Sequence, residues 1–421
     1  MSSPTWQHGP SAVADQTSLR RANLRLVLRW LRDEGPRSRA RLAADLGLNK
    51  ATVSSLVAEL AERGLVQDGG AERGAVGRPA TTVELDGRLV CGVGAEINVH
   101  HVAALALNVH GDVVSERRLS LDAAGQPAEA VIGKLADLLV ATMDDLAEYS
   151  AVPVGLVVGT AGLIDRATGT LALAPNLGWR DVPVAELVRG HLGEPAYPIE
   201  IDNEANLAAV AEATQRDLQQ GDVLVIHGEV GVGGGIIAGG RQLRGSHGYA
   251  GEFGHMNVDP QGRRCGCGRR GCWETVVGLS RLLDLAADPD DPVRAPDLRL
   301  EARLDEINRR AALGDDRTLA ALHQIGHGLG VGAALLANAL NPGVIVLSGY
   351  FAEVGPWLQQ VVEAELAAGV LAPASGGTTV ALSTLGFTAA VRGGAAVALE
   401  HVFDDPTVVS RRQAEEVGVM S

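Results

Sequence analysis

Hydrophobic positions near the N-terminus recur with the spacing of a helix. The apolar face of the first predicted helix repeats at i, i+3, i+4 and i+7, at Leu24, Val27, Leu28 and Leu31. Gly35 and Pro36 end this helix, and Ser38 is the predicted N-cap of a short second helix over residues 39–46. Gly47 makes the next turn, after which Asn49 is the predicted N-cap of a third helix.

The third predicted helix has one apolar and one polar face. Its apolar positions are Val53, Leu56, Val57 and Leu60, and its polar positions are Lys50, Thr52, Ser54 and Ser55. Two short helices joined by a glycine turn predict a helix-turn-helix, whose second helix places its polar N-terminal half in the major groove. Residues 65–67 and 81–85 predict the two strands of a wing. We expect Arg78, between Gly77 and Pro79 at the wing tip, to enter a narrow minor groove.

From about Leu89 the pattern changes to apolar, strand-like runs that alternate with helical stretches, which predicts an α/β fold. The predicted strands are residues 89–95, 102–109, 154–159, 199–202, 223–227, 234–238 and 344–348. The predicted helices are residues 127–149, 204–216, 318–340, 356–366 and 388–401. Two glycine-rich strand–turn–strand segments, near 92–112 and 227–240, indicate a duplicated fold with a cleft between its halves. Periodicity alone equally describes a doubly wound enzyme.

The length and composition are those of a soluble protein with more than one domain. A chain of 421 residues predicts two or three folding units, and 46% of its residues are hydrophobic. No run approaches 18 consecutive apolar residues, so we expect no membrane-spanning segment. Because residues 1–17 are polar and lack the apolar core of a signal peptide, they predict a disordered tail and a cytoplasmic protein.

Charge is distributed unevenly along the chain. The net charge of −15 argues against nucleic acid, but residues 18–50 carry nine Arg or Lys against three Asp or Glu. This basic segment predicts that only the N-terminal domain meets the DNA phosphates, with Arg39 and Asn49 joining the candidate contacts. A basic run on a solvated helix face is the alternative interpretation of the charge.

Three of the four cysteines crowd into one short segment that follows a histidine. His255, Cys265, Cys267 and Cys272 have the spacing His-x9-Cys-x-Cys-x4-Cys. One imidazole and three thiolates make a closed tetrahedral set of soft ligands, which predicts one structural Zn²⁺ per chain. In a reducing cytosol this pattern favours a metal over disulfides. Cys91 falls in a predicted buried strand and is interpreted as core.

These residues resemble the ROK family (repressor, open reading frame, kinase), specifically its winged-helix transcriptional repressors. The resemblance runs from about residue 18 to 405 and rests on the zinc segment from Glu252 to Glu274. Further matching pieces are 174–179, 202–206 and 338–342. The resemblance implies an actin-like (ribonuclease-H-like), two-lobed ATPase-type fold with a sugar pocket in the cleft, in a homodimer or homotetramer. By position, it implies sugar contacts for Asn176, Asn203, Glu204, Glu252, His255 and Glu274.

The family's kinases have features that this chain lacks. Glu96 to His100 replace the Asp-x-Gly-Gly-Thr phosphate hairpin, and Glu229-Val230-Gly231 replace a Gly-Thr-Gly turn. Residues 347–350 replace a glycine triplet of the nucleoside site. Glu204 stands where those kinases have the catalytic Asp, and its extra methylene moves the carboxylate by about 1 Å, an error that costs about 10²-fold. Because nucleotide-side residues are altered and sugar-side residues are retained, no catalytic residue is predicted.

The sequence therefore predicts a sugar-responsive, DNA-binding transcriptional regulator, a repressor of carbohydrate-utilisation genes whose kinase-like domain senses a sugar or sugar phosphate without phosphorylating it. The predicted domains are a winged helix-turn-helix at 18–86, a sugar-sensing domain at 88–405 with the zinc loop near 255–274, and a C-terminal tail at 406–421. The expected partners are double-stranded operator DNA and a small sugar. The alternatives are an active sugar kinase with a DNA-binding appendage and a zinc-stabilised scaffold for a protein partner.

Overall fold

The computed structural model describes residues 16–71, 81–216, 218, 221–295, 298–371 and 377–411. Contacts between residues divide the chain into two units. The N-terminal unit is assigned Met1–Val90, Asn108–His110 and Leu399–Ser421, and the larger unit is assigned Cys91–Leu107 and Gly111–Ala398. The division at residue 90 lies close to the predicted boundary, whereas residues 399–411 join the N-terminal unit and not the domain or the tail to which the sequence analysis assigned them.

The N-terminal unit has the element order of a winged helix. Its helices are α1 (Gln16–Glu34), α2 (Arg39–Asp45) and α3 (Lys50–Glu62), and its strands are β1 (Arg37–Ser38), β2 (Val66–Ala71) and β3 (Thr81–Leu85), in the order β1-β3-β2. The Ser38 hydroxyl caps α2 by accepting from the Arg41 N–H, and the Asn49 side chain caps α3 by accepting from the Thr52 N–H. Helix α1 begins two residues inside the predicted tail, and Arg78 lies outside the described residues.

The predicted apolar faces of the three helices form one core. Leu24, Val27, Leu28 and Leu31 of α1 are at most 3% exposed, as are Leu42 of α2 and Val53, Leu56, Val57 and Leu60 of α3. Each predicted i, i+3, i+4 stripe therefore faces its neighbours, because side chains three and four residues apart share one face of a helix.

The arginines of α1, which supply most of the basic charge, are paired within the unit. Arg20 bonds Glu59 of α3, while Arg21, Arg25, Arg29 and Arg32 pair with carboxylates of the C-terminal segment, which are Glu400, Asp404 and Asp405. The Arg32 guanidinium also lies over the ring of Phe403, 4.5 Å from its centroid. Much of the basic charge on this helix is thus offset by nearby carboxylates. The net positive charge of the N-terminal unit is therefore smaller than its number of basic residues suggests.

Glu59 is a buried carboxylate on the inner side of α3, with a side chain that is 5% exposed. Burial alone would raise its pKa, but hydrogen bonds from Arg63, Arg20 and Arg411 hold it at about 2. Since this pKa is depressed on folding, the stabilisation is complete above about pH 4.5 and is lost as pH falls towards 2. A shift of this size corresponds to about 3 kcal/mol. We expect Glu59→Gln to destabilise the N-terminal unit by that order at pH 7 and by only about 1 kcal/mol at pH 3.

Hydrogen–deuterium exchange of the α1 and α3 amides measures this loss, with both proteins compared at the same pH. Glu62→Gln on the same helix is the matched control, because the Glu62 side chain is 52% exposed and pairs with the exposed Arg411. Equal protection in the Glu59 and Glu62 variants at pH 7 would contradict the assigned role of Glu59.

The larger unit opens with a five-stranded sheet of order β11-β7-β4-β5-β6. Its strands are β4 (Val90–Ile97), β5 (His101–Asn108), β6 (Val113–Ser120), β7 (Val152–Thr160) and β11 (Ile199–Asn203). A smaller antiparallel sheet follows β7, with strands β8 (Leu163–Asp165), β9 (Thr170–Ala174) and β10 (Trp179–Val182). Helices α4 (Ala128–Glu148) and α5 (Val184–His191) pack on the five-stranded sheet. Strands β4 and β5 are buried along almost their whole length, as their continuous apolar runs predict.

The second half of this unit repeats the same strand arrangement, in the order β14-β13-β12-β15-β16. Its strands are β12 (Val223–Gly228), β13 (Val232–Ala238), β14 (Arg241–Gln242), β15 (Val344–Gly349) and β16 (Thr379–Leu382). Its α-helices are α6 (Glu204–Gln215), α7 (Glu274–Val277), α8 (Leu279–Ala286), α9 (Leu300–Ala312), α10 (Asp316–Leu340), α11 (Tyr350–Glu353), α12 (Gly355–Gly369) and α13 (Ala389–Asp404). In each half an antiparallel three-stranded meander is followed by two parallel strands, which confirms the predicted duplication.

Helix α10 is long and apolar enough to cross a membrane by length and composition. It instead has the pattern of a core helix, since 56% of its apolar window is buried inside the protein. Ile325, Leu329 and Ala333 lie on its fully buried face, and the helix packs against α8 and α12.

Candidate functional site

A histidine and three cysteines converge where the sequence spacing predicted a metal site. His255 Nδ1 lies 3.6 Å from the sulfur of Cys265, and the sulfurs of Cys267 and Cys272 are 3.6 Å apart. One ligand atom from each of the four residues lies within 4.8 Å of all the others. Tetrahedral coordination at a Zn–S distance of about 2.3 Å requires ligand atoms about 3.8 Å apart, so this group can hold a metal ion.

The chain wraps closely around the cluster. Gly268 and Gly271 have φ angles of +89° and +68°, and a Cβ on Gly271 would lie 1.7 Å from the carbonyl oxygen of Asp259. A side chain at position 271 is therefore excluded both by conformation and by space. The Cys267 N–H also donates to the sulfur of Cys265 at 3.3 Å.

The six residues that the resemblance assigns to a sugar all line one pocket between the two halves of the larger unit. Its lining residues are Asn98, Val99, Ala161, Gly162, Ala174, Pro175, Asn176, Asn203, Glu204, Glu229, Val230, Gly231, Val232, Gly233, Glu252, His255 and Glu274. Asn176 and Asn203 come from the first half, Glu204 is the first residue of α6, and Glu252, His255 and Glu274 come from the segment that carries the His255, Cys265, Cys267 and Cys272 cluster. A pocket lined by a few convergent polar groups is the usual form of a small-molecule site.

His255 connects the metal cluster to the pocket. Its Nδ1 faces Cys265 and lies 3.6 Å from Oε1 of Glu274, while its Nε2 lies 3.9 Å from Oε2 of Glu252. One ring nitrogen is therefore available to a metal while the other points towards the carboxylates of the pocket. Gly231 permits this close packing, because a Cβ there would lie 2.8 Å from Oε2 of Glu274 and 3.1 Å from Nδ2 of Asn176.

Asn203 and Glu204 stand where strand β11 passes directly into helix α6. The Asn203 side chain accepts from the Ala205 N–H and donates to the carbonyl of Gly162, so it is held rigidly at the pocket edge. Glu204 is 8% exposed, and its Oε2 makes no hydrogen bond to a described residue. Burial raises the pKa of Glu204 well above its usual value, and the nearby Glu229, Glu96 and Glu252 raise it further.

Buried polar side chains fill the positions that the resemblance assigns to phosphate binding. The Asn98 amide donates to Glu96 at 3.2 Å and also to Glu229, and thereby joins the two halves. His101 Nε2 lies 3.5 Å from Glu96, and His227 Nε2 lies 3.4 Å from Glu229. All five side chains are at most 4% exposed. We call Glu96, Asn98, His101, His227 and Glu229 the carboxylate–imidazole network.

The protonation of the His227–Glu229 pair follows from its geometry. Burial alone would raise the pKa of Glu229, but His227, whose Nε2 lies 3.4 Å away, and a hydrogen bond from Asn98 lower it. Burial alone would lower the pKa of His227, but Glu229 raises it. The two directions agree, and both favour a protonated imidazole beside a charged carboxylate. The sequence analysis missed His101 and His227, for which the available signal was a histidine in an otherwise apolar strand.

Buried side chains also fill the place that the resemblance assigns to the nucleoside. Tyr350 and Phe351 are fully buried, with ring centroids 4.4 Å apart, and the Tyr350 hydroxyl donates to the carbonyl of Val277. The hydroxyl of Ser348 pairs with His227 Nδ1 at 3.1 Å. The altered sequence at residues 347–350 therefore forms part of a packed core.

The candidate DNA contacts differ in how free their side chains are. Arg39 pairs with Asp68, Asn49 caps α3, Ser54 donates to the Lys50 carbonyl, and the hydroxyl of Ser55 accepts from Arg20. Thr52 is half-buried on the same turn. Lys50 is exposed at the first position of α3. Among the predicted contacts inside the described ranges, Lys50 presents the most accessible charge.

Two family models match the chain. The one described as ROK family covers residues 92–401, and the one described as IclR helix-turn-helix domain covers residues 23–69. The xylose repressor of Bacillus spizizenii is 28% identical over 93% of this chain and 98% of its own length. The glucokinase of Halalkalibacterium halodurans is 30% identical over 72% of this chain and 93% of its own length.

A solved structure shares the fold over nearly the whole chain. The crystal structure of a ROK family transcriptional regulator, a homologue of the Escherichia coli MLC protein, superposes with a TM-score of 0.74 at 22% identity. It covers 92% of this chain and 97% of its own. The actin-like, two-lobed fold with an N-terminal helix-turn-helix is thereby confirmed.

Proposed function

The chain belongs to the ROK family, and from that premise we propose that it is a sugar-responsive transcriptional regulator that binds operator DNA and represses carbohydrate-utilisation genes. The observation that carries this proposal is the contrast within one cleft. All six sugar-side residues line the pocket, whereas the phosphate-side positions are filled by the carboxylate–imidazole network. The winged helix supplies the DNA-binding module, and the related xylose repressor has a name that matches such a role. We place the protein in the cytoplasm, where operator DNA is found.

We further propose that the protein has no kinase activity, although the glucokinase relative makes an active kinase the alternative. Backbone N–H groups cradle phosphate only where glycine lets them approach closely, and Asn98, Val99 and Glu229 put side chains in that place. Glu229 also sets a buried negative charge where phosphate oxygens would lie.

The absence of phosphoryl transfer is tested by incubating the protein with ATP, magnesium and a panel of sugars. We expect no sugar phosphate above background, because the phosphate positions are occupied. Glu204→Asp restores the length of the kinase base and is also expected to be inactive, since it leaves the network intact. Turnover on the order of 1 s⁻¹ in either protein would refute this part of the proposal.

Operator contact is proposed for α3 and the wing, through Arg39, Asn49, Lys50, Thr52, Ser54, Ser55 and Arg78. Because Asn49, Ser54, Ser55 and Arg39 already have internal partners, Lys50 is the sharpest test. We expect Lys50→Ala to weaken binding to DNA of every sequence by the same factor. The slope of log affinity against log salt should fall by about one unit.

The matched control is Lys134→Ala, which removes the same charge from the only other lysine of the chain, in α4. Its salt slope should equal that of the unsubstituted protein. Identical salt slopes for the Lys50 and Lys134 variants would remove α3 from the proposed DNA contact.

We propose that His255, Cys265, Cys267 and Cys272 hold one structural Zn²⁺ per chain. Four soft ligands form a closed set, which suits a structural and not a hydrolytic ion. Bound zinc would fix the orientation of the His255 imidazole. His255 would then present Nε2 to the ligand beside Glu252, and Glu274 would accept a hydrogen bond from a sugar hydroxyl.

Sugar binding is proposed to act by population shift. The pocket lies between the two halves, so a ligand that contacts both changes the free energy of their relative arrangement. In a homodimer or homotetramer, that change would alter the separation of two winged helices that must match half-sites about 34–36 Å apart. A coupling of about 1–3 kcal/mol would change operator affinity about 5–150-fold.

A further inference from the structure

The charge of the pocket bears on the class of sugar that it accepts. Of the 17 described residues that line it, none is a lysine or an arginine. Its ionisable side chains are Glu204, Glu229, Glu252, Glu274 and His255. Phosphate esters are bound in proteins by Arg or Lys, by a metal cation or by free backbone N–H groups at a helix N-terminus. The described lining offers no lysine or arginine for this purpose.

The helix that begins at the pocket already uses part of its N-terminal end for a side chain of this chain. Helix α6 starts at Glu204, and the Ala205 N–H in its first turn already donates to the Asn203 side chain. The first residue of the helix is itself a carboxyl group. One of the N–H groups that could attract a ligand phosphate at this end is thus already used by a side chain of this chain.

Glu229 is held in place as a buried negative charge. It lies on the turn between β12 and β13, is 4% exposed, and is bonded by Asn98 and paired with His227. Because Asn98 and His227 fix it from both halves, it cannot swing aside for an incoming anion.

Glu204 offers an unsatisfied polar atom to the pocket. Its side chain is more than nine-tenths buried, and its Oε2 has no hydrogen-bond partner among the described residues. Burial and three neighbouring carboxylates raise its pKa, which favours the protonated acid, a form that can donate one hydrogen bond. A sugar hydroxyl provides the acceptor for that bond, and a buried group left without it costs free energy.

We infer that the pocket recognises an unphosphorylated monosaccharide, with Glu229 excluding its phosphate esters and Glu204 hydrogen-bonding to one of its hydroxyls. This inference rests on the proposed sugar-sensing function and narrows it from sugar or sugar phosphate to the free sugar.

Calorimetric titration of the full-length, metal-loaded protein tests the inference. The probes are D-xylose, D-glucose and N-acetyl-D-glucosamine, and the phosphate esters of each. We expect at least one uncharged sugar to bind and its phosphate ester to bind at least about 100-fold more weakly, because the ester brings two negative charges close to Glu229. A phosphate ester that binds as tightly as its parent sugar would overturn the inference and leave sugar sensing intact.

Variants separate the two roles. Glu229→Gln keeps the shape of the side chain and removes its charge, so the ratio of the affinities for the free sugar and its ester should fall at least about 10-fold. Glu148→Gln, on the exposed end of α4, should leave this ratio unchanged. Glu204→Ala should weaken binding of the free sugar about 10-fold more than Glu204→Gln, which retains a hydrogen-bond donor. An unchanged ratio in a folded Glu229→Gln protein would overturn the role of Glu229. If no probe of any kind binds while the protein still binds DNA, sugar sensing itself fails.

Discussion

Replacing Cys267 by alanine is expected to remove the metal ion and to destabilise the larger unit. Three ligands in place of four cannot close the tetrahedral set around the ion, and structural zinc in small domains contributes about 10–16 kcal/mol of apparent binding free energy. The cluster also orders residues 252–277, which carry Glu252, His255 and Glu274 to the pocket. We therefore expect elemental analysis to fall from about one zinc per chain to none, with a lower thermal unfolding temperature and weaker sugar binding.

Cys91→Ala is the matched control for this experiment. Cys91 is fully buried in β4, outside the cluster, and burial raises the pKa of its thiol to about 11, so it is inert as a ligand. The Cys91 variant should keep one zinc per chain. A Cys267 variant that retains its metal, or that loses it with unchanged stability and sugar binding, would contradict the structural role of the site.

Replacing Glu252 by alanine is expected to weaken sugar binding about 10–150-fold, because a hydrogen bond to a charged group is worth about 1.5–3 kcal/mol. The Glu252 side chain is 34% exposed at the pocket, 3.9 Å from His255, so its carboxylate is accessible to a ligand. DNA affinity without sugar should barely change, because every described pocket residue belongs to the larger unit. The variant would then be fixed in its sugar-free behaviour.

Titration of sugar and DNA separately measures both expectations. Glu148→Ala removes the same side chain from an exposed position and should leave both affinities unchanged. A folded Glu252→Ala protein with a normal affinity for sugar would show that the sugar site has been misplaced. The scaffold alternative would then gain support.

The features that the sequence predicted best are those that depend on short stretches of chain. Helix α2 was expected over residues 39–46 and spans Arg39–Asp45, because its N-cap and the following glycine turn are local signals. The metal cluster was predictable for the same reason, since its four ligands fall within 18 residues and only a tight turn is needed to join them.

The features that the sequence did not predict depend on contacts between distant residues. The pairs that join Arg29 and Arg32 to Glu400 connect positions more than 360 residues apart, so the local count of basic residues overstated the positive charge of the N-terminal unit. The carboxylate–imidazole network likewise needs strands from both halves. Glu229 meets Asn98 across 131 residues, and neither strand alone shows that the phosphate place is filled.

The central claim is that sugar binding in the cleft controls DNA binding by the winged helix. The most direct measurement is a titration of the full-length protein into a labelled operator, selected by the protein from random-sequence DNA, with and without a saturating sugar identified by calorimetry. The account predicts that the sugar changes operator affinity about 5–150-fold, and that Glu252→Ala abolishes this change at the same sugar concentration. Superimposable titration curves with the sugar demonstrably bound would contradict the account.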